Sequence, residues 1–517
     1  MKRCILAICC VIAASAPVLG EVAKESLASL IQAGNNKEAL AWIRAGADVN
    51  EAQPDGTRPV HWAVYHVDYE LLGALLAKKA KVNVTNDFGS TPIAEAAKLG
   101  DARMVKMLLD AGAEPEGANS DGQTALMLAI NTGELPVVEM LIQAGASVNR
   151  IEEFRNQTPL MWAATAPRNA GEMVKLLLSK GADVRPRALY TDWPNQITSE
   201  PRAQYRPVGG LTALLYAARD GCYDCVEALI AAGADVNVPT PEGVTPLMLA
   251  LDNQHNDVAK LLLERSANPH VWDWWGRTAL YIAIDRRETA RASKRPLDSS
   301  MEMINMLLAA DVDPNIQLNM HRPSRGGNSG RFGDPLLSTG CTPLLRATMG
   351  NDMEVVQALL AKGASPNIND MGMTAFLVAA GFGGGRGIGG QAGASGVANI
   401  ALMDMLLQHG ADVNAQVTGT KTYSMRVARA PSTNEGMSAL HIAAQSGRAD
   451  VVRFLLDKGA DAGIVDSNGH KPIDLVGISP PSGRGGATPD GAGQAKTANQ
   501  ANVTEIRALL RDSVSRK

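Results

Sequence analysis

Two cysteines, Cys222 and Cys225, are the residues of this sequence whose type and spacing most directly suggest chemistry. A Cys-x-x-Cys pair can exchange disulfides or supply half of a zinc site. Zinc needs four ligands, and the only other cysteine after residue 20 is Cys341. The redox form of the motif usually opens a helix in a βαβ unit, which the sequence does not contain. We therefore interpret the pair as packing residues, although two cysteines this close could oxidise in an exported protein.

A glycine-rich run supplies the second candidate for chemistry. Gly385, Gly387 and Gly390 have the Gly-x-Gly-x-x-Gly spacing of dinucleotide-binding loops. The run neither follows a predicted strand nor opens a βαβ unit, and no acidic residue is placed after it to bind a ribose. The Gly-x-x-x-x-Gly-Lys-Ser/Thr, His-Glu-x-x-His and Gly-x-Ser-x-Gly motifs do not occur, and the eight histidines are scattered. The sequence therefore predicts a protein that is not an enzyme and uses no cofactor or metal.

An internal repeat defines the elements that would position such residues. A motif of the Gly-x-Thr-Pro/Ala-Leu type recurs eleven times, mostly 33 residues apart. Its copies start at Gly56, Gly89, Gly122, Asn156, Gly210, Gly243, Gly276, Gly340, Gly372, Gly436 and, in a degraded form, Gly469. A second signature, of the Gly-Ala-Asp-Val-Asn type, follows some 20 residues after each start. A fixed period of this size indicates a stacked repeat protein instead of a globular enzyme.

One copy of the repeat explains its length. Thr91 can cap a helix with its hydroxyl, and Pro92 suits the first helical position, where a missing N–H costs nothing. This first helix is predicted to end at Gly100. A second, apolar helix over 102–111 is expected to end at Gly112, and the turn-rich stretch that follows would form a hairpin-like finger. Because one such repeat cannot bury its apolar face, it must stack on its neighbours.

These repeats resemble ankyrin repeats, whose Thr-Pro-Leu-His-x-Ala signature appears with its histidine at His61 and His441. The resemblance covers roughly residues 22–515. It implies an all-α repeat solenoid of about twelve stacked helix-turn-helix repeats, each with a finger, between capping ends. A first repeat without the Thr-Pro start is expected at 22–50, and a capping helix at 503–512. The repeats are predicted to start near residues 22, 56, 89, 122, 156, 210, 243, 276, 340, 372, 436 and 469.

Six segments depart from the regular spacing and are predicted to be long loops. They are 185–207, 288–300, 317–339, 384–398, 415–435 and 477–502. The inserted fingers 185–207, 317–339 and 415–435 each carry two more basic than acidic side chains, whereas the whole chain has a net charge of −4. Insertions in repeat proteins often map to the binding face, so these fingers favour an acidic partner. The alternatives are that the charges serve only solubility and that some loops are flexible padding.

The first twenty residues have the pattern of a secretory signal peptide. Lys2 and Arg3 precede an apolar run that ends at Ala14, and small residues follow as far as Gly20. The run is too short to span a bilayer comfortably, and no later stretch reaches transmembrane length. We predict a signal peptide over 1–20 and a mature solenoid over 21–515. The mature chain would be periplasmic or secreted, without a transmembrane anchor.

The resemblance also indicates where a partner would bind, because ankyrin repeats typically contact other proteins through finger tips and the exposed ends of first helices. Around one finger this selects Trp272, Trp274, Trp275 and Arg277, with Asp285 and Arg286 at the end of the helix behind it. The same mapping selects Phe88, Phe154, Arg155, Arg219, Tyr65 and His66. Trp, Tyr and Arg are favoured interface anchors. The alternative for Trp272 and Trp274 is that they pack against an adjacent inserted finger.

The function predicted from these features is that of a non-catalytic exported scaffold that binds another protein through its finger tips and concave face. The alternative is a binder of an anionic cell-envelope polymer that would use the basic inserted fingers. A polymer binder should lose affinity steeply as salt increases, whereas a protein binder should depend more on the tryptophans. Nucleic acid is not an expected partner of an exported chain with a negative net charge.

Overall fold

The computed structural model describes residues 26–191, 208–297, 299–318, 340–368, 372–382, 398–418, 435–478 and 499–515. The predicted signal peptide, the glycine-rich run and most of the predicted loops 185–207, 317–339, 384–398, 415–435 and 477–502 lie outside these residues. The described residues form 23 α-helices, one 3-10 helix and two short strands. Successive helices form pairs, and first helices pack on first helices of the neighbouring pairs. The predicted all-α repeat architecture is confirmed.

The chain divides into two compact units, Met1–Phe154 and Arg155–Lys517. The helices of the first unit are α1 (Leu27–Gln32), α2 (Asn36–Ala45), α3 (Pro59–Tyr65), α4 (Tyr69–Ala77), α5 (Pro92–Leu99), α6 (Ala102–Asp110), α7 (Ala125–Thr132) and α8 (Leu135–Gln143). The second unit begins with α9 (Pro159–Ala164), α10 (Ala170–Ser179), β1 (Tyr190–Thr191), β2 (Val208–Gly209), α11 (Ala213–Asp220), α12 (Tyr223–Ala231), α13 (Pro246–Asp252) and α14 (Asn256–Glu264). It continues with α15 (Ala279–Ala292), α16 (Ser300–Ala309), α17 (Pro343–Met349), α18 (Met353–Ala361), α19 (Ala375–Ala379), α20 (Ile400–Gln408), α21 (Ala439–Gln445), α22 (Ala449–Asp457), the 3-10 helix Pro472–Leu475 and α23 (Asn499–Ser515).

The repeat motif starts each helix pair as its residue types predict. At α5, the Thr91 hydroxyl accepts the Ala94 N–H at 3.3 Å, and Pro92 occupies the first helical position. Gly100 ends this helix with φ +70°, a left-handed conformation that glycine adopts without steric cost. Asp101 then caps α6 with its carboxylate. The apolar faces of both helices are buried, so the stability of each repeat comes from its neighbours.

The two motif histidines connect a repeat to the finger of the next one. The His61 Nδ1 atom accepts the Arg58 N–H at 3.1 Å, while its Nε2 atom donates to the Ser90 carbonyl at 3.2 Å. His441 repeats the arrangement, with Nε2 at 3.0 Å from the His470 carbonyl. The bond accepted by Nδ1 requires the neutral imidazole, and burial lowers the pKa of both histidines. Their role is therefore structural.

Asparagines of the second repeat signature form a further connection, which we call the asparagine ladder (Asn83, Asn237, Asn315 and Asn367). At Asn237 the side-chain oxygen accepts the Asn268 N–H at 2.7 Å, and Nδ2 donates to the Ser266 carbonyl at 3.4 Å. The other three make the same two bonds to the next repeat within their own unit. Each rung therefore satisfies backbone groups of the following repeat.

The helix α15 departs from the sequence prediction, which placed a loop over 288–300. It extends through the first residues of that segment, to Ala292, and buries Glu288. The sequence from Ala279 to Ala292 contains no glycine or proline and is rich in Ala, Arg and other helix formers, so the inserted residues continue the helix. The capping helix α23 is also longer than the predicted 503–512.

Candidate interaction surface

A tight turn built on one carboxylate shapes the finger that carries the tryptophans. The Asp273 side chain accepts the N–H groups of Trp275 at 3.0 Å and Arg277 at 2.9 Å. It also accepts the Arg277 Nε–H at 2.7 Å. The Trp274 N–H donates to the Glu242 carbonyl at 2.7 Å, which fixes this finger to the preceding one. The turn therefore holds the three tryptophans in fixed and different directions.

The tryptophans of this finger divide into exposed and buried residues. Trp272 is 61% exposed and Trp274 is 40% exposed, whereas Trp275 is only 6% exposed. Because a buried Trp275 already supplies packing within the finger, the other two are not needed for its core. Of the three tryptophans that the sequence predicted as exposed anchors, Trp272 and Trp274 are exposed and Trp275 is not.

The charged residues predicted beside them belong to the interior of the second unit. Arg277 is 5% exposed, and its guanidinium lies 2.7 Å from Asp273 and 3.3 Å from Asp252. Burial opposes its charge, but these two carboxylates outweigh it and raise the pKa of Arg277. Asp252 also pairs with Arg286 at 2.8 Å. A buried cation requires such partners, which explains why Arg277 turns inward instead of towards solvent.

Asp285, which the sequence placed at an exposed helix end, is also buried. Its carboxylate pairs with the Arg346 guanidinium of α17 at 2.8 Å. The extension of α15 carries the chain two turns past this residue and covers it. Asp285 therefore joins neighbouring repeats within the unit and offers no free carboxylate to a partner.

The inserted finger that begins at Arg185 comes two fingers before the tryptophan finger along the chain. It presents two apolar side chains, Leu189 and Tyr190, that the sequence analysis did not select. Both are about half exposed, and Tyr190 pairs with Gly209 in the β1–β2 ladder. The Arg187 guanidinium donates to the carbonyls of Gly210 at 3.0 Å and Pro239 at 2.8 Å, which ties this finger to the next. The adjacent Leu-Tyr pair inside an insertion was the available sequence signal.

Three consecutive fingers carry apolar side chains that are exposed or partly exposed, and we call this set the finger-tip strip: Leu189, Tyr190, Pro241, Trp272 and Trp274. A Cβ atom added at Gly210 would lie 2.8 Å from the Pro241 ring and 3.4 Å from the Tyr190 Cβ, so these residues are packed together. The bond from Trp274 to Glu242 connects the third finger to the second. Contiguous exposed apolar groups of this kind mark interaction sites more often than scattered ones do.

Arg219 and Arg155 are the remaining candidates of the second unit. Arg219 is half-buried, pairs with Asp220 at 2.6 Å and lies over the Tyr216 ring with its guanidinium carbon 4.9 Å from the centroid. The Tyr216 hydroxyl accepts from Gln157 at 2.8 Å. Arg155 is exposed, and its carbonyl accepts the Leu189 N–H, which anchors the inserted finger. Both arginines therefore have structural contacts at the surface.

The first unit carries its own exposed aromatic residues. Phe88 and Phe154 are largely exposed at finger tips, as the sequence predicted. Tyr65 and His66 are exposed at the end of α3 and form a cluster with Trp62, with ring centroids 5.3–6.2 Å apart. The Trp62 Nε1–H donates to Gln53, so the cluster is held in place.

In the residues that the structure describes, no helix is long and apolar enough to cross a membrane. The same residues contain no group of three or more His, Cys, Asp or Glu side chains placed to hold a metal ion.

Comparison with protein families gives matches along most of the chain. A model described as ankyrin repeats (3 copies) matches residues 27–119, 114–188, 196–273 and 214–318. A model for ankyrin repeats (many copies) matches 406–476, and one for a single ankyrin repeat matches 339–371.

Among curated relatives, the mitochondrial disaggregase of Bos taurus is 30% identical over 31% of this chain and 20% of its own length. The B-cell lymphoma 3 protein homolog of Mus musculus is 26% identical over 44% of this chain and 39% of its own. The E3 ubiquitin-protein ligase KEG of Arabidopsis thaliana is 26% identical over 58% of this chain and 16% of its own. The chain thus spans less than half of the length of each relative. Because the family models cover more than half of its residues, the chain belongs to the ankyrin-repeat family.

Proposed function

We propose that this chain is a non-catalytic scaffold that binds another protein through the finger-tip strip. Ankyrin repeats are generally protein–protein interaction modules and are generally not catalytic. The observation that carries the proposal is the exposure of Trp272 and Trp274 in a finger whose third tryptophan is buried. Tryptophan and tyrosine are favoured anchors of interfaces because they bury large areas and keep a polar group at the edge.

The described arginines of the inserted finger favour a protein partner over an anionic polymer. Arg185 forms a bidentate pair with Asp183, at 2.9 and 3.0 Å. Arg187 donates to the backbone carbonyls of Gly210, at the end of its own finger, and Pro239, in the next finger. Two of the four arginines between 185 and 207 are therefore engaged within the chain, which reduces the positive charge that this finger offers to a polymer. An acidic protein partner remains compatible with the other two.

The test begins with capture of a partner by the full chain from its native source, followed by affinity measurements on the purified pair. The double variant Trp272→Ala plus Trp274→Ala should weaken binding by about 2 kcal/mol or more, which is roughly thirtyfold in Kd. The matched control is Tyr223→Ala, an exposed aromatic at the start of α12 and at the other end of α11 from the finger. Equal binding by both folded variants and the parent would show that the strip is not the recognition surface.

A salt series distinguishes the alternative function as a binder of an anionic cell-envelope polymer. Binding dominated by many cationic contacts weakens linearly in log Kd against log salt, whereas an aromatic interface depends weakly on salt. We expect the tryptophan variant to lose affinity at all salt concentrations. A steep salt dependence that is unchanged by the tryptophan substitutions would favour the polymer.

We also propose that the chain is exported. The support is the charged and apolar pattern of its first twenty residues together with the disulfide between Cys222 and Cys225, since disulfides persist mainly in oxidising compartments. Intact-mass measurement of the protein recovered from its native host should give a chain that begins near Glu21. A mass that retains residues 1–20 would contradict export by this route.

A further inference from the structure

The Cys222–Cys225 pair, interpreted from the sequence as packing, is a disulfide that opens a helix. The two sulfur atoms are bonded and the Cα atoms are 5.2 Å apart. Cys222 is the N-cap residue of the nine-residue helix α12, and Cys225 is its third residue. The redox motif was discounted because its βαβ context is missing, yet its local requirement, a pair that begins a helix, is met here.

The two sulfurs differ in their access to solvent. Cys225 is fully buried beside Val226 in the repeat stack, whereas Cys222 is partly exposed in the turn between α11 and α12. An attacking thiolate can therefore reach only the Cys222 sulfur, with Cys225 as the leaving group. This asymmetry gives exchange a defined direction of attack, because the rate depends on which sulfur is reached.

The N-cap position favours a thiolate at Cys222 after reduction. In α4, α6 and α18 the corresponding residues are Asp68, Asp101 and Asp352, and each carboxylate accepts the N–H of the third helical residue. In α12 that N–H belongs to Cys225. A reduced Cys222 thiolate would take the place of those carboxylates, at the positive end of the helix dipole.

A histidine from the next repeat lies beside this position. A Cβ atom added to Gly221 would lie 2.6 Å from His255 Cε1 and 2.7 Å from its Cγ, so the imidazole rests directly on the residue before Cys222. At the equivalent place in an earlier repeat, Gly100 is covered by Glu134 instead. An imidazole ring beside a cysteine favours its thiolate more than a carboxylate does.

The disulfide also contributes little to the stability of the folded chain. It closes a loop of four residues within a single repeat, so it removes little entropy from the unfolded chain. The buried residues Val226 and Leu229 hold α12 in the stack independently of the sulfur–sulfur bond. Reduction is therefore expected to leave the fold intact.

We propose that Cys222 and Cys225 form a thiol–disulfide exchange site whose co-substrate is a thiol. The thiolate of the co-substrate attacks the Cys222 sulfur and forms a mixed disulfide, while the Cys222–Cys225 bond breaks and Cys225 leaves as a thiolate that takes up a proton. A second thiol then attacks the co-substrate sulfur of the mixed disulfide and releases the Cys222 thiolate. In the net reaction two co-substrate thiols lose two electrons and form a disulfide. The Cys222–Cys225 disulfide accepts these electrons and is reduced to a dithiol. His255 acts as a positioning residue for the Cys222 thiolate.

The experiment uses the full oxidised chain in glutathione buffers of graded ratio, followed by alkylation and mass spectrometry. After residue 20, we expect reversible gain and loss of two alkylation sites, mapped to Cys222 and Cys225, with unchanged circular dichroism. The buried Cys341 is expected to stay unmodified in the folded chain. A pair that resists reduction while the chain is folded, or a chain that unfolds on reduction, would show a structural disulfide and overturn the proposal.

Single-cysteine variants test the direction of attack. Oxidised glutathione should form a mixed disulfide with Cys225→Ser, where Cys222 remains, and no adduct with Cys222→Ser, where the remaining thiol is buried. Equal reaction of both variants would contradict the proposed site. A parallel arm with a reduced protein dithiol in place of glutathione identifies the source of the thiol, because the faster of the two reductants is the better co-substrate.

The role of His255 is measured by the pH profile of Cys222 alkylation in the reduced chain. His255→Asn should move the profile upward, because the imidazole that rests on Gly221 next to Cys222 is lost. The control is His270→Asn, an exposed histidine on a finger, whereas His255 lies in the turn between α13 and α14. Coincident profiles for the parent and both variants would exclude this positioning role.

Discussion

The carboxyl group of Glu288 should make the stability of the second unit depend on pH between about 4.5 and 7. Glu288 is 3% exposed on the extension of α15. Burial is the main cause that raises its pKa from 4.5 to about 7, against the opposing effect of Arg291, which lies 3.1 Å away. Asp352 raises it further, and Arg346 opposes it. The folded chain therefore keeps a proton at pH values where the unfolded chain has released it.

The sign and size of this pH dependence follow from the linkage between proton binding and folding. Between the unfolded pKa of 4.5 and the folded pKa of about 7, the folded state binds more protons, so the free energy of unfolding falls as the pH rises. The contribution is fully present below pH 4.5 and is lost as the pH passes through about 7. At about 1.4 kcal/mol per pH unit, it amounts to up to about 3 kcal/mol. Asp352 titrates outside this window, because Arg287 and Arg291 lower its pKa below 3.8.

The variant Glu288→Gln should remove this dependence. Its amide can accept from Arg291 and donate to Asp352, as the protonated carboxyl does, but it does not ionise. The measurement is hydrogen exchange of α15 and α17 at pH 5 and pH 7.5, after correction for intrinsic exchange, because repeat arrays do not unfold in one step. Glu302→Gln, an exposed change on α16, is the control and should keep the slope of the parent. A parent without loss of stability over this range, or a Glu288→Gln chain with the same loss, would refute the reasoning.

Three further substitutions test the packing of the second unit. Leu262→Ala should lower the free energy of opening of its repeat by about 2–5 kcal/mol, measured by hydrogen exchange of α14, because the leucine is fully buried. Arg277→Ala should cost about 3–5 kcal/mol in the same assay, because it removes the guanidinium that pairs with the buried Asp273 carboxylate. Gly350→Ala should destabilise α15 and α17 by about 1–3 kcal/mol, seen as faster hydrogen exchange of these helices, because its methyl group would overlap the Glu288 carboxyl. A neutral result for any of them would contradict the packing described there.

The repeat architecture could be predicted from the sequence because its signals are local and recur. Thr91, Pro92 and Gly100 each act within one helix, and the same set returns at a fixed period. The same reliance on recurring local signals explains why the extension of helix α15 was not predicted. An insertion in a repeat was expected to loop out, yet its own residues favour a helix, and the ion pair of Arg291 with Asp352 at the start of α18 holds it in place.

The candidate surface was only partly predictable, since exposure in a finger depends on residues distant in sequence. Arg277 turns inward because Asp252, 25 residues earlier, accepts its guanidinium. Trp274 stays outside because its backbone, fixed to Glu242, directs it there. Neither contact can be recognised from the repeat motif. The sequence located the finger, and the structure distinguishes its exposed rings from the buried one.

The asparagine ladder makes each unit behave as a one-dimensional lattice with nearest-neighbour coupling. A rung such as Asn237 holds two backbone groups of the next repeat and none beyond it. When one repeat opens, only the adjacent repeats lose bonds, so unfolding should advance as a front from a weak position along the stack. Thermal unfolding, proteolysis and mechanical unfolding should then all begin at the repeat that is coupled most weakly to its neighbours.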